Sequence, residues 1–139
     1  MRKFTNLFLS CLFCLTFLVA CDEPVDFREL EKRRGIFYKK STDIPFTGEV
    51  KGETEGTFKN GRKGGAWVGY GSNGQLVWER NFKNGKMVGR WVKYHSNGQL
   101  WSKGNIKDGK KDGSWVFYTK DGTMKKFITG TYRKGKKID

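Results

Sequence analysis

From Gly35 onward the chain alternates short apolar runs with turn signals. Gly65-Ala-Trp-Val-Gly-Tyr70 is apolar and aromatic, Ser72-Asn-Gly74 is a turn, Leu76-Val-Trp78 resumes the apolar pattern, and Lys83-Asn-Gly-Lys86 turns again. The pattern then recurs at one fixed spacing. Trp67, Trp91 and Trp115 keep it, as do Tyr70, Tyr94 and Tyr118, and Gly65, Gly89 and Gly113. Leu76 and Leu100 continue into Met124, and Asn73-Gly74 and Asn97-Gly98 continue into Asp121-Gly122. A fixed period of this length marks a repeat architecture. Apolar-aromatic runs flanking Asn-Gly predict β-hairpins. The expected fold is therefore all-β, an extended antiparallel meander of repeated 24-residue β-hairpins over residues 35–139.

A two-residue loop at Asn73-Gly74 fixes a register in which Ser72 faces Gln75, Gly71 faces Leu76, Gly69 faces Trp78, Trp67 faces Arg80 and Gly65 faces Phe82. Alternation along strands then predicts one face with Trp67, Leu76, Trp78 and Phe82, and another with Val68, Tyr70 and Val77. In the second unit the faces carry Trp91, Leu100 and Ile106 against Val92, Tyr94 and Trp101. In the third they carry Trp115, Phe117, Met124 and Ile128 against Val116, Tyr118 and Phe127. Gly65 opposite Phe82, and Gly89 opposite Ile106, suggest glycines covered by a bulky cross-strand neighbour. The last unit, Gly109 to Gly135, is two positions longer than Gly61–Gly85 and Gly85–Gly109, which predicts a longer final hairpin or a bulge near Thr129-Gly130.

The N-terminal stretch, 1–20, has another character. A positive start, Met1-Arg-Lys3, leads into a mostly apolar run from Phe4 to Phe17, the pattern of a secretory signal peptide. It ends in Leu18-Val-Ala-Cys21, which resembles a bacterial lipobox, with Cys21 as the lipid-bearing residue. The resemblance implies an acylated (palmitate-type) lipoprotein at the bacterial cell envelope, anchored to the membrane rather than spanning it. Asp22 resembles the inner-membrane retention signal of enteric lipoproteins, which favours the periplasmic side of the inner membrane over the outer membrane. Cys11 and Cys14 would leave with the leader, so disulfides and Cys-metal sites are not expected. Residues 21–34 read as a charged tether with at most a short helix, and residues 35–59 as a degenerate opening repeat.

Charge adds a surface. The chain carries +14, and loss of Arg2 and Lys3 leaves 26 basic against 14 acidic residues, or +12. The cations cluster at the inter-hairpin turns: Lys59, Arg62 and Lys63; Lys83 and Lys86; Lys107, Lys110 and Lys111; Arg133 and Lys134. In a meander these turns share one edge, a candidate rim for anions such as lipid head groups, or a solvated edge that resists aggregation. An envelope address argues against nucleic acid. Catalysis has few means: His95 is the single histidine and has no partner carboxylate in sequence. The acids form no paired or metal-binding pattern, and no cofactor is implied. Gly69-Tyr-Gly-Ser-Asn-Gly74 fits a dinucleotide-binding string only literally, since no βαβ pattern surrounds it.

The units Gly-x-Trp-x-x-Tyr-x-x-Asn-Gly-Gln-Leu and Phe-Lys-Asn-Gly-Lys resemble bacterial variants of the MORN (membrane occupation and recognition nexus) repeat. Gly35-Ile-Phe-Tyr-Lys-Lys40 with Pro45-Phe-Thr-Gly48 resembles the start of the YwqK-type antitoxin family. The resemblance covers about residues 35–137 and implies no catalytic site. The expected function is a membrane-anchored, non-enzymatic module that binds a protein or a membrane surface. The alternative is an envelope immunity or antitoxin-type protein that neutralises a toxin. Trp78 and Trp101 break the repeat and fall on opposite expected faces, which makes them the candidate recognition aromatics.

Overall fold

Short alternating runs between close turn signals leave the backbone one way to pair its N–H and C=O groups, namely with the next strand along. The computed structural model describes residues 23–139. The leader, Cys21 and Asp22 lie outside the described residues. The strands are β1 (Val25–Asp26), β2 (Leu30–Arg33), β3 (Ile36–Lys39), β4 (Gly48–Lys51), β5 (Thr54–Lys59), β6 (Arg62–Tyr70), β7 (Leu76–Lys83), β8 (Lys86–Tyr94), β9 (Leu100–Lys107), β10 (Lys110–Phe117), β11 (Gly130–Arg133) and β12 (Lys136–Lys137). Ten of them form one sheet, in the order β1-β4-β5-β6-β7-β8-β9-β10-β11-β12. Every pairing in it is antiparallel except that of β1 with β4. The chain is an all-β meander.

Two kinds of turn alternate along this sheet. At Asn60-Gly61, Asn84-Gly85 and Asp108-Gly109 both residues have φ between 50° and 78°. The flanking pairs Lys59–Arg62, Lys83–Lys86 and Lys107–Lys110 close two-residue loops. Asn and Asp tolerate this left-handed conformation better than other side chains do. Asn73-Gly74 is different. Gly71 N–H donates to Gln75 O at 2.8 Å and Gly74 N–H to Gly71 O at 2.9 Å, which makes a three-residue loop. Asn73 instead accepts a hydrogen bond from Gln75 N at 3.1 Å.

The longer loop corrects the expected register near the turn. Gly65–Phe82, Trp67–Arg80 and Gly69–Trp78 pair as expected, but Tyr70 pairs with Leu76, and Val77 is the extra residue of a bulge. The second hairpin repeats this, with Tyr94 opposite Leu100 and Trp101 in the bulge. Directly opposed residues share a face. Leu76, Leu100 and Met124 therefore join Tyr70, Tyr94 and Tyr118, not the tryptophans. Gly65 and Gly89 do not lie beneath Phe82 and Ile106. The nearest side chain to a Cβ at Gly65 would be Thr57, at 3.8 Å. With Gly113 they sit at φ 66–76°, each where the register with a neighbouring strand shifts. The recurring glycine serves a left-handed bulge.

Residues on the tryptophan face form a row across the strands: Gly56, Trp67, Arg80, Trp91, Gly104, Trp115 and Gly130. Trp67 lies flat over Gly56 and Trp115 over Gly104, so closely that a Cβ at either glycine would collide with the indole. Their ring N–H groups donate to Gly64 O at 3.1 Å and Asn105 O at 3.0 Å. The opposite face alternates charge with valine, as Glu55, Val68, Glu79, Val92, Lys103 and Val116. Tyr94 Oη donates to Glu79 at 2.8 Å there, and Val92 is buried. Glu79 on this face also pairs with Arg90, Nε to Oε2 at 3.5 Å.

The stretch read as a tether is part of the fold from Val25 onward. β1 adds to the sheet beside β4, a 3₁₀ turn follows at Phe27–Glu29, and β2 pairs with β3 in a separate hairpin. Phe27, Leu30 and Phe37 pack on Val50, Phe58 and Trp67. Phe46, in the segment after the hairpin, accepts from Gly61 N–H at 2.7 Å, and the hairpin itself is bonded to that first tight turn through Phe37 N–H to Gly61 O at 2.9 Å. It caps the tryptophan face at the N-terminal end. A second cluster holds Trp115, Phe117 and Tyr132, flanked by Trp91 and Ile106.

The last hairpin shows where its extra length goes. Gly113 pairs with Tyr132, as Gly65 pairs with Phe82 and Gly89 with Ile106. Tyr132, not Ile128, fills the third core position. The additional residues form a turn between Met124 and Gly130, and Phe127 and Ile128 are exposed there.

Candidate interaction surfaces

The cap covers only part of the tryptophan face. Beyond it Trp91, Lys93, Trp101, Ser102, Lys111, Trp115 and Phe117 line a shallow hollow of about 220 Å³. Its floor is ordered by local contacts. Trp91 Nε1 donates to the buried Ser102 Oγ at 3.3 Å. Lys93 Nζ stands 3.9 Å above the Trp101 ring, and Lys111 Nζ stands 4.4 Å from the Phe117 ring centre and 5.0 Å from those of Trp115 and Tyr132. Cations over aromatic faces are attracted by the ring quadrupole. Burial lowers the pKa of Lys111.

The bulge brings Trp101 to this hollow. It sits with Lys93 and His95, the His95 ring 5.7 Å away, on the face that also carries Trp78. The two candidate recognition aromatics therefore share one face. Trp78 packs against the N-terminal cluster and lies over Gly69, whereas Trp101 lines the open hollow. Between them Arg80 places its guanidinium 4.5 Å from Trp78 and 4.4 Å from Trp91. Burial lowers its pKa, and its buried Nε has no hydrogen-bond partner among the described residues. Sequence reasoning missed Arg80. The signal was available, because the positions one period before and after it are glycines, Gly56 and Gly104.

The tight turns bring the predicted cations together in two groups. Lys59, Arg62, Lys63, Lys83 and Lys86 line a cleft of about 740 Å³, with no carboxylate among the described residues of its wall. Lys107, Lys110, Arg133 and Lys134 line another of about 620 Å³, where Asp108 and Asp112 offset part of the charge. Lys63, which also lines the first cleft, and Lys111 stand over aromatic rings as well. Lys63 Nζ is 3.9 Å over Trp67 and 5.1 Å from Phe27, and burial, with repulsion from Arg80 and Lys32, pulls its pKa down to about 8. Lys111 occupies the corresponding place in the open half.

His95 faces the carbonyl of Tyr118 at 3.0 Å through Nε2. Among the described residues no three His, Cys, Asp or Glu side chains converge as a metal site would require. No helix among them is long and apolar enough to cross a membrane. No family model, curated protein or solved structure matches the chain.

Proposed function

We propose that this chain is a non-enzymatic interaction module, held at the bacterial envelope by lipid on Cys21, whose open aromatic hollow receives a protein partner. The observation that carries the reading is the unequal cover of one continuous face. Phe27, Leu30 and Phe37 of the chain itself pack on Trp67, while no such lid covers Trp91 and Trp101 among the described residues. Half-covered indoles beside cations suit a segment with apolar and acidic side chains. Its carboxylates would meet Lys93 and Lys111, and its apolar groups the rings. Asp22 favours the periplasmic side of the inner membrane, with the outer membrane as the other address. The resemblance to the antitoxin-labelled family makes an envelope-acting toxin one such partner, tested by rescue of a linked toxin's effect.

A peptide-display selection on the purified protein tests the hollow directly. Enriched peptides are expected to combine Asp or Glu with aromatic residues. Their affinity should fall about tenfold or more in Trp101→Ala and in Lys93→Glu, the size of a truncated hot spot. Peptides without acids, or binding indifferent to both changes, would sink the reading. The anchor is tested separately, by palmitate labelling of wild type against Cys21→Ala.

A further inference from the structure

The final hairpin departs from its predecessors at one place, and the departure exposes apolar surface. Between Met124 and Gly130 the return strand leaves the sheet, and Phe127 is 96% exposed, with Met124 and Ile128 each at 43%. Two lysines, Lys125 and Lys126, immediately precede Phe127. The loop is firmly held. Lys125 N–H donates to Phe117 O at 2.8 Å, and Ile128 N–H to Lys125 O at 3.2 Å. Thr129 Oγ1 accepts from Phe117 N–H at 3.0 Å, and Tyr132 Oη donates to Ile128 O at 2.6 Å. A large apolar ring is thus presented to solvent on a braced support, where the preceding hairpins keep their strands in the sheet.

We propose that this loop seats Phe127 in the headgroup–acyl boundary of an anionic bilayer. A projecting apolar tip needs no shaped pocket there, since lipid adapts to it, and an apolar residue beside lysines is the composition of interfacial anchors. Lysine stems lie along the boundary while their ammonium groups reach the head groups. The loop's charge agrees. Residues 118–129 contain Lys120, Lys125 and Lys126 against one carboxylate, Asp121. Asp121 is engaged by Thr119 and Thr123, whose hydrogen bonds hold its pKa down to about 2. Residues 22–139 carry 26 basic against 14 acidic residues, or +12, which adds long-range attraction to an anionic surface.

The inference does not rest on acylation of Cys21 or on the aromatic hollow. Residues 22–139 hold every described strand and lack the lipid-bearing cysteine. Their partition onto phosphatidylglycerol–phosphatidylcholine vesicles is compared with that onto phosphatidylcholine alone. Wild type is expected to prefer the anionic vesicles. Phe127→Ala should weaken that binding about tenfold, and Lys125→Gln with Lys126→Gln about as much, on anionic vesicles only. Both sites are exposed, so the fold should be unaffected by either change. In the full chain reconstituted into bilayers, Phe127→Trp should gain quenching by brominated acyl chains over the wild-type background. Partition unaltered by Phe127→Ala, or no added quenching in Phe127→Trp, overturns the proposal. So does a dimer that Phe127→Ala disrupts without changing vesicle binding, which would make a second copy the occupant.

Discussion

In the N-terminal half of the tryptophan face, Trp67 is enclosed: Phe27 stands 6.3 Å from it edge-on, Phe58 4.9 Å, and it keeps 1% of its surface. In the C-terminal half, Trp91 occupies the same position one unit later and remains half-buried. It touches Arg80 and Trp115 but has no covering segment among the described residues. The two indoles have the same strand position and chemistry. Two things differ: residues 25–39 fold back over the first indole, and that indole lies over Gly56 where the second meets Arg80. Shared burial between repeats supports both tryptophans, but only one is closed off from partners.

Truncation separates the halves most sharply. Trp67→Ala is expected to destabilise by about 3–5 kcal/mol, as for a fully enclosed aromatic. Trp91→Ala should lose about 1–2 kcal/mol, because part of its surface already faces water. Urea unfolding of both variants measures the difference. Equal losses would break the comparison and mean that the open half is covered in solution.

The sequence carried the meander, the three long hairpins, the pairings Gly65–Phe82 and Trp67–Arg80, and the grouping of cations at the tight turns. Those follow from period and turn chemistry. It did not carry the choice between two- and three-residue loops, since Asn-Gly serves both at Asn60 and at Asn73. That one residue moved Leu76 to the other face and brought Trp101 to the face of Trp78. The cap was hidden for another reason. Phe27, Leu30 and Phe37 lie among Arg, Lys and Glu in a stretch too short to show a period, and their burial depends on contacts with strands later in the chain. Lys63 and Lys111 read as rim charges by composition, and only their placement over aromatic rings reveals the other use.

Lys63 sharpens the comparison through pH. Burial lowers its pKa to about 8 from the ordinary 10.5. Between those values the unfolded chain binds more protons, so this group makes stability rise as pH increases from about 8 toward 10.5 and penalises the fold below that window. Met87 stands one full period later, at the same place in the repeat. Lys63→Met is expected to stabilise by about 0.5–1 kcal/mol at neutral pH, the penalty being softened by partial exposure. Its advantage should shrink as pH passes 8, in denaturation series run at several pH values. Lys111→Met, lacking a cap over it, should do less. An advantage that grows with pH would contradict the assignment.

The smallest effect lies at the turns. Those of the central sheet use Asn60, Asn84 and Asp108 at the first left-handed position, whereas the final turn uses Lys134, with φ 50°. A lysine in that conformation has no short polar side chain to offset the crowding of its Cβ against the backbone. The turn closes the short strands β11 and β12, which pair at Tyr132–Lys137 and Arg133–Lys136. Gly135 N–H also reaches across to Lys111 O at 2.8 Å, as Gly85 N–H does to Lys63 O. The backbone required is thus the same at both ends of the sheet, and only the residue differs. Lys134→Asn is expected to raise stability by about 0.3–0.5 kcal/mol and to slow amide exchange at Gly135 and Ile138. Asn60→Lys should cost about as much, because the cap is bonded to that turn through the backbone of Gly61. A much larger loss at Asn60 would show that the cap depends on this turn's geometry, and that the covered half of the sheet is stabilised from its edge as well as from its aromatic face.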